Sequence, residues 1–276
     1  MQAEEPLEIL PAGPYLGSSS AFRSARVPLL VLVFSLGLLL FLAIEPTKPW
    51  ILLAVTCLVG IAADGIFRQH PHAGYEEDAA WTAPYLFLPV LFTLGAGLFL
   101  EDALSGYWVL PGTMVAGIVM GAILYAEHIS IDGENSMYPA SRFVLNLGTY
   151  LTAFAFYAVV YAFDVSLVPA ALTVGLISLL LAVEVLREAE ADPVRALVFA
   201  GVTGTIVAEA RWALYFLPLE SYLAGVFLLL VFYVTSGLVQ HHLNDDLRPP
   251  VVSEFVVITL IGVLIVTLGR IFESGS

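Results

Sequence analysis

Nine apolar stretches, each long enough to cross a bilayer, run through this chain and leave little outside them. They are Pro28–Ile44, Trp50–Phe67, Pro84–Leu100, Tyr107–Ala126, Phe143–Phe163, Leu167–Leu186, Val194–Leu217, Tyr222–Gln240 and Val252–Ile271. A hydrocarbon core of roughly 30 Å takes about 20 mostly apolar residues in a helix. No water reaches backbone groups there, so only helices or a closed barrel can span it. The stretches are continuously apolar and do not alternate with period two, which argues against a barrel. Charged residues make up 12% of the chain, about half the share usual in a soluble domain. The expected fold is therefore all-α, a polytopic integral membrane bundle of nine helices. One transmembrane domain spans 28–272, between a polar tail over 1–27 and a short polar tail over 273–276. The first stretch is longer than a signal-peptide core and has no small-residue cleavage site after it, so it reads as an uncleaved helix.

Basic residues near span ends set orientation. With the N-terminus inside, Arg23, Arg26, Arg68, Arg142, Arg187, Arg195 and Arg248 fall on the inner side. Lys48 and Arg270 fall outside, and Arg211 lies within a span. That bias puts the N-terminus inside and the C-terminus outside, in a cell inner (plasma) membrane of bacterial type. The lipid bilayer is the expected partner. The net charge of −14 argues against nucleic acid, and the scattered basic residues argue against a polybasic lipid anchor. The single cysteine, Cys57, has no disulfide partner in the chain.

The register permits a parallel four-helix repeat. Tyr107-Trp108 through Ala116-Gly117-Ile118 lies without a gap on Tyr215-Phe216 through Ala224-Gly225-Val226, and Glu101 then lies on Glu209. A slightly different offset sets Asp64 on Glu184. Spans 1–4 and 5–8 are the two copies, as in transporters built from parallel repeats.

Charges inside spans carry the most information. Glu209 and Arg211 share span 7 but point about 200° apart, so they cannot pair with each other. Glu209 is expected to face the bundle interior, below Thr205 and beside Trp212. Arg211 is expected to snorkel outward or to pair with Glu101 or Asp102. An intramembrane ionisable group is a functional candidate by default. Glu209, Arg211, Thr205 and Tyr215 are thus the binding or proton-coupling candidates. A second polar set sits at the inner span ends: Asp64, Glu127, His128, Arg142, Asn146, Glu184, His241, His242 and Glu254. Asp64 with Arg68, and Glu184 with Arg187, have the spacing of ion pairs on one helix face.

Small residues recur at four-residue steps in span 7 (Ala196, Ala200, Gly204, Ala208) and in span 4 (Thr113, Gly117, Gly121). Such stripes let helices pack closely, here within the chain in preference to a homodimer face. Adjacent His241 and His242 point about 100° apart, and no ligand spacing of a zinc site accompanies them. No metal and no cofactor is expected.

Nine spans with acidic residues at the inner face give the chain a partial resemblance to the intramembrane prenyltransferases, which does not amount to membership of that family. That resemblance implies magnesium and diphosphate held by aspartate-rich motifs after spans 2 and 6. The first site here offers Asp64 and Glu76-Glu77-Asp78 without the Asn/Asp motif, and the second offers Glu184, Glu188 and Asp192. Basic residues to neutralise diphosphate are scarce. No nucleophile elbow, zincin motif or phosphate loop is present, so no catalytic motif marks the chain as an enzyme and the balance leans against one.

Three functions follow. The first is small-solute or proton-coupled transport using Glu209. The second is a non-catalytic accessory or assembly subunit that binds other membrane subunits. The third is a lipid- or isoprenoid-handling enzyme with an acidic inner site.

Overall fold

The structure, a computed structural model, describes residues 19–70, 82–187, 189, 192–217 and 219–274. Residues 1–18 of the polar tail, Glu76, Glu77, Asp78 and Glu188 lie outside the described residues. The helices are α1 (Ser19–Ala43), α2 (Pro49–Phe67), α3 (Ala83–Ala103), α4 (Val109–Ser130), α5 (Tyr138–Ala162), α6 (Leu167–Leu186), α7 (Pro193–Leu214), α8 (Ser221–Leu243) and α9 (Pro249–Ser274). A 3₁₀ turn, Gly106–Trp108, precedes α4. Among the described residues there is no strand, and 9 helices are long and apolar enough to cross a membrane. The chain is a multi-pass membrane-spanning helical protein.

Turn chemistry sets where the helices start and stop. α2, α5 and α7 open with proline in the first two positions, where its fixed φ suits a helix and its missing N–H costs nothing. Asp164 between α5 and α6, and Asp245 between α8 and α9, adopt φ of 47° and 53°. Aspartate visits this left-handed region more readily than most residues. Gly106 takes φ of 61° in the turn into the 3₁₀ segment.

α5 is the central helix. It packs on α3, α4, α6 and α8, and 61% of an apolar 18-residue stretch of it is buried. α9 packs on α8 at the edge, and only 11% of such a stretch of it is buried. Lipid tails are as apolar as leucine, so the packing rests on close van der Waals contact and small residues. The core holds Phe34, Phe41, Phe67, Met120, Leu145, Tyr157 and Phe232, all essentially inaccessible. On α1, Leu29, Leu32, Leu36 and Leu40 face outward, as lipid-facing leucines do. Buried hydroxyls of Thr56, Thr93, Thr152, Ser178 and Ser236 donate to the carbonyl four residues back. That satisfies them without a partner helix.

One end of the bundle gathers Arg26, Arg68, Arg142, Arg187 and Arg195, and is called the basic end below. There Arg26 donates to Gln69.

Candidate functional site

α7 decides where the intramembrane charges point. Asp192 caps its N-terminus, accepting from the Val194 N–H at 2.9 Å. Ala196, Ala200 and Gly204 turn inward against α6. A Cβ at Gly204 would stand 2.6 Å from the Gly175 carbonyl oxygen, and one at Gly175 2.9 Å from the Ala208 Cβ. This seam fixes the rotation of the helix. Glu209 is five residues beyond Gly204, about 140° around the wheel at 100° per residue. It is therefore exposed on the outer flank and does not face the bundle interior as expected. Thr205 and Trp212 are exposed beside it, and the Thr205 hydroxyl is engaged with its own helix at the Gly201 carbonyl.

Arg211, seven residues beyond Gly204, returns to the inward face. It is 4% exposed, so it does not snorkel. Its guanidinium lies over the Tyr161 ring, 4.1 Å from the centroid. Neither Glu101 nor Asp102 is its partner: Glu101 accepts from Thr47, and Asp102 accepts from the Tyr222 hydroxyl at 3.3 Å. Nε and Nη1 of Arg211 are buried without a hydrogen bond. Tyr215 is exposed and packs edge-on against Phe216.

At the basic end four charges close a buried quartet. Glu184 Oε1 accepts from Arg142 Nη1 at 3.1 Å and from Arg187 Nη2 at 2.9 Å. Arg187 also pairs with Glu127 at 2.9 Å. Arg142 Nη2 donates to the Glu184 backbone carbonyl at 3.0 Å. Both carboxylate side chains are fully buried. Tyr85 of α3 lies under the Arg187 guanidinium, 4.0 Å from ring centroid to Cζ. Burial works against charge on Arg187, but the Glu184 and Glu127 carboxylates outweigh it and hold its pKa above the ordinary arginine value. The quartet ties α4, α5 and α6 together and sets two acids against two arginines. Glu127 Oε1 and Glu184 Oε2 remain without hydrogen-bond partners.

The rest of the expected inner set is dispersed. Asp64 bonds Arg68 at 2.7 Å and Thr82 at 2.6 Å, a separate and partly exposed group. The His128 ring packs edge-on against His70. Asn146, one turn from Arg142, buries its Oδ1 unbonded. His241 turns to Phe255 of α9 and His242 to Phe199 of α7, so the two rings diverge. Glu254 is exposed on α9. Glu184 and Asp64 sit in different ion pairs, and Asp192 is engaged at its helix cap; these residues do not converge on one site. On α4, Thr113 is buried and bonds the Leu110 carbonyl, while Gly117 and Gly121 admit Ser35 and Val31 of α1.

Arg187, Tyr85 and Tyr161 are the residues that the sequence reading did not single out as site members. Two carboxylates and two arginines at the same-side ends of spans 4, 5 and 6 were a usable signal for the quartet. The helical wheel of the span 7 stripe was a usable signal for Arg211. No pattern marked the two tyrosines.

No curated protein and no solved structure matches the chain. Residues 46–269, most of its length, match the family described as "Protein of unknown function (DUF5656)", and the chain belongs to that family.

Proposed function

We propose that this protein is a non-catalytic subunit of a larger membrane complex, and that α7 docks its partner. The observation that carries this is the outward-facing Glu209. It lies five residues before the last residue of α7, about 7.5 Å along the axis at 1.5 Å per residue. A short carboxylate side chain spans only part of that distance. At mid-bilayer a charged group costs roughly 2.5–3.5 kcal/mol on insertion scales, and less toward the boundary. No protein group among the described residues offsets that cost. Glu209 also belongs to a regular exposed seam: Val198, Val202, Thr205, Glu209, Trp212 and Phe216. Their spacing alternates between four and three residues, the repeat of a helix–helix contact.

Charge complementarity selects the occupant, a transmembrane helix of another protein bearing Lys or Arg at the depth of Glu209. A second copy packed by the same face would set Glu209 against Glu209. Transport through Glu209 is disfavoured, because that residue lies on the flank and not in an interior cavity.

The basic end is assigned to the cytoplasm, with the N-terminus inside, by the rule that basic residues stay on that side. A parallel repeat is supported by packing: α1 with α4 and α2 with α3 are matched by α5 with α8 and α6 with α7.

A photo-crosslinking residue at Val202 tests the docking reading in intact membranes. The expected result is one defined adduct with another polypeptide, lost in Glu209→Leu, with only lipid captured from exposed Leu172 on α6. Adducts with this chain alone, or with lipid alone, would overturn it.

A further inference from the structure

At the end of the bundle opposite the basic end, a cavity of about 650 Å³ opens among α5, α6, α7 and α8. Its lining includes Tyr161, Asp164, Ser166, Arg211, Glu220 and Ser221. We propose that this cavity binds a zwitterionic group, with a phosphate or carboxylate on Arg211 and an ammonium toward Asp164 and Glu220. The site is independent of the partner seam, because Arg211 and Glu209 occupy opposite faces of α7.

Arg211 carries the argument. It is 4% exposed, and no ion pair reaches it among the described residues, although two acids line the same cavity. A buried cation without a counter-charge is costly. Tyr161 covers one face of the guanidinium. That contact leaves the N–H edges available, and Nε and Nη1 are unbonded. Nη2 shares one edge of the guanidinium with Nε and the other with Nη1, and either edge matches a phosphate or carboxylate in a bidentate pair. The buried Tyr161 hydroxyl, also unbonded, adds a third polar group.

The surrounding backbone favours an anion as well. α6 and α8 both begin at this cavity, behind Ser166 and Glu220. Neither N-terminus has a side-chain cap. Their first N–H groups and the positive ends of their dipoles are therefore open to an anionic ligand.

Asp164 and Glu220 then decide which anion. Both are exposed, and Asp164 is held at the turn by its left-handed backbone. Two acids against one arginine repel a bare dianion. A ligand that carries its own ammonium group relieves that repulsion. An ethanolamine phospholipid headgroup and a free amino acid or phosphoethanolamine share this chemistry.

The test uses purified full-length protein, stripped of lipid in detergent, with apparent Tm and native mass read on ligand addition. One arm adds phosphatidylethanolamine, phosphatidylglycerol or phosphatidylcholine. The other adds phosphoethanolamine, glycine or inorganic phosphate. A rise in Tm with phosphatidylethanolamine over phosphatidylglycerol supports a lipid headgroup. A rise with phosphoethanolamine or glycine alone supports a soluble ligand. In either case Arg211→Met should weaken binding by about ten- to a hundred-fold, the usual worth of hydrogen bonds to a charged group. No rise with any of these probes, or one that survives Arg211→Met, would overturn the proposal. Should Arg211→Met not fold, the rim variant Asp164→Asn/Glu220→Gln should lose the preference for the zwitterion over phosphatidylglycerol or phosphate. An unchanged preference in that variant would likewise overturn it.

Discussion

Replacing Glu184 by Gln should destabilise this protein more than replacing Glu127 by Gln. Glu184 Oε1 holds two guanidinium groups, Arg142 at 3.1 Å and Arg187 at 2.9 Å. Glu127 pairs with one guanidinium among the described residues, that of Arg187. The glutamine keeps the size of the side chain and an acceptor oxygen but removes the charge, so two guanidinium groups lose the carboxylate they share. Arg142, side chain 5% exposed, then faces a neutral amide beside the backbone carbonyl of residue 184 in place of the carboxylate. Removing one member of a buried pair costs about 3–5 kcal/mol, mostly as the uncompensated charge left behind. At about 2–4 °C per kcal/mol for a chain of this size class, the apparent Tm should fall by roughly 6–20 °C. Glu127→Gln should fall less, because Arg187 keeps Glu184 and is itself 17% exposed to water. The double variant Glu184→Gln/Arg142→Leu removes one acid and one arginine together and should recover part of the loss, a coupling of about 0.5–3 kcal/mol. Tryptophan fluorescence during heating in one detergent reads the wild type, the two glutamine variants, Arg142→Leu and the double variant. A fall under about 2 °C for Glu184→Gln, or a double variant equal to the sum of the singles, would refute the reasoning.

Other sites give graded expectations. Gly204→Leu should push α7 from α6 and cost at least about 1–3 kcal/mol by overpacking, seen as a lower Tm; the backbone oxygen of Gly175 at 2.6 Å leaves no room. Tyr157→Phe and Ser178→Ala remove the same 2.6 Å hydrogen bond. Tyr157→Phe should cost about 0.5–1.5 kcal/mol, because Ser178 still bonds the Val174 carbonyl; Ser178→Ala should cost about 1–3 kcal/mol, because it strands the buried phenol. Thermal melts that rank the two the other way would contradict this assignment. Asp64→Asn disrupts a partly exposed pair with Arg68 and should shift stability by no more than about 1 kcal/mol.

Much of the architecture was legible in the chain itself. The bilayer forbids unsatisfied backbone, so each run of about 20 apolar residues had to become one helix. Apart from α1, which starts at Ser19 and not at Pro28, the spans read from composition fall within about five residues of the helices observed, and proline and aspartate at the turns explain many of the margins. The Glu184–Arg187 pair was readable because it is local, three residues along one helix. The quartet was only half readable. Glu184 meets Arg142 across 42 residues, and its closure depends on how α5 and α6 lean together at one end. Glu209 and Arg211 show the boundary most directly. Their divergence by about 200° follows from helix geometry alone. Which of the two would be buried depended on whether α6 packed on the Gly204 stripe, a contact between helices and not a property of α7. Sequence by itself determined the nine helices, their order and the charges each carries, because backbone hydrogen bonding in lipid is a local demand. Only the tertiary structure decided that Glu209 faces out, Arg211 faces a cavity and four charges close on one another. Those outcomes depend on the rotation of each helix about its axis, which interhelical packing sets.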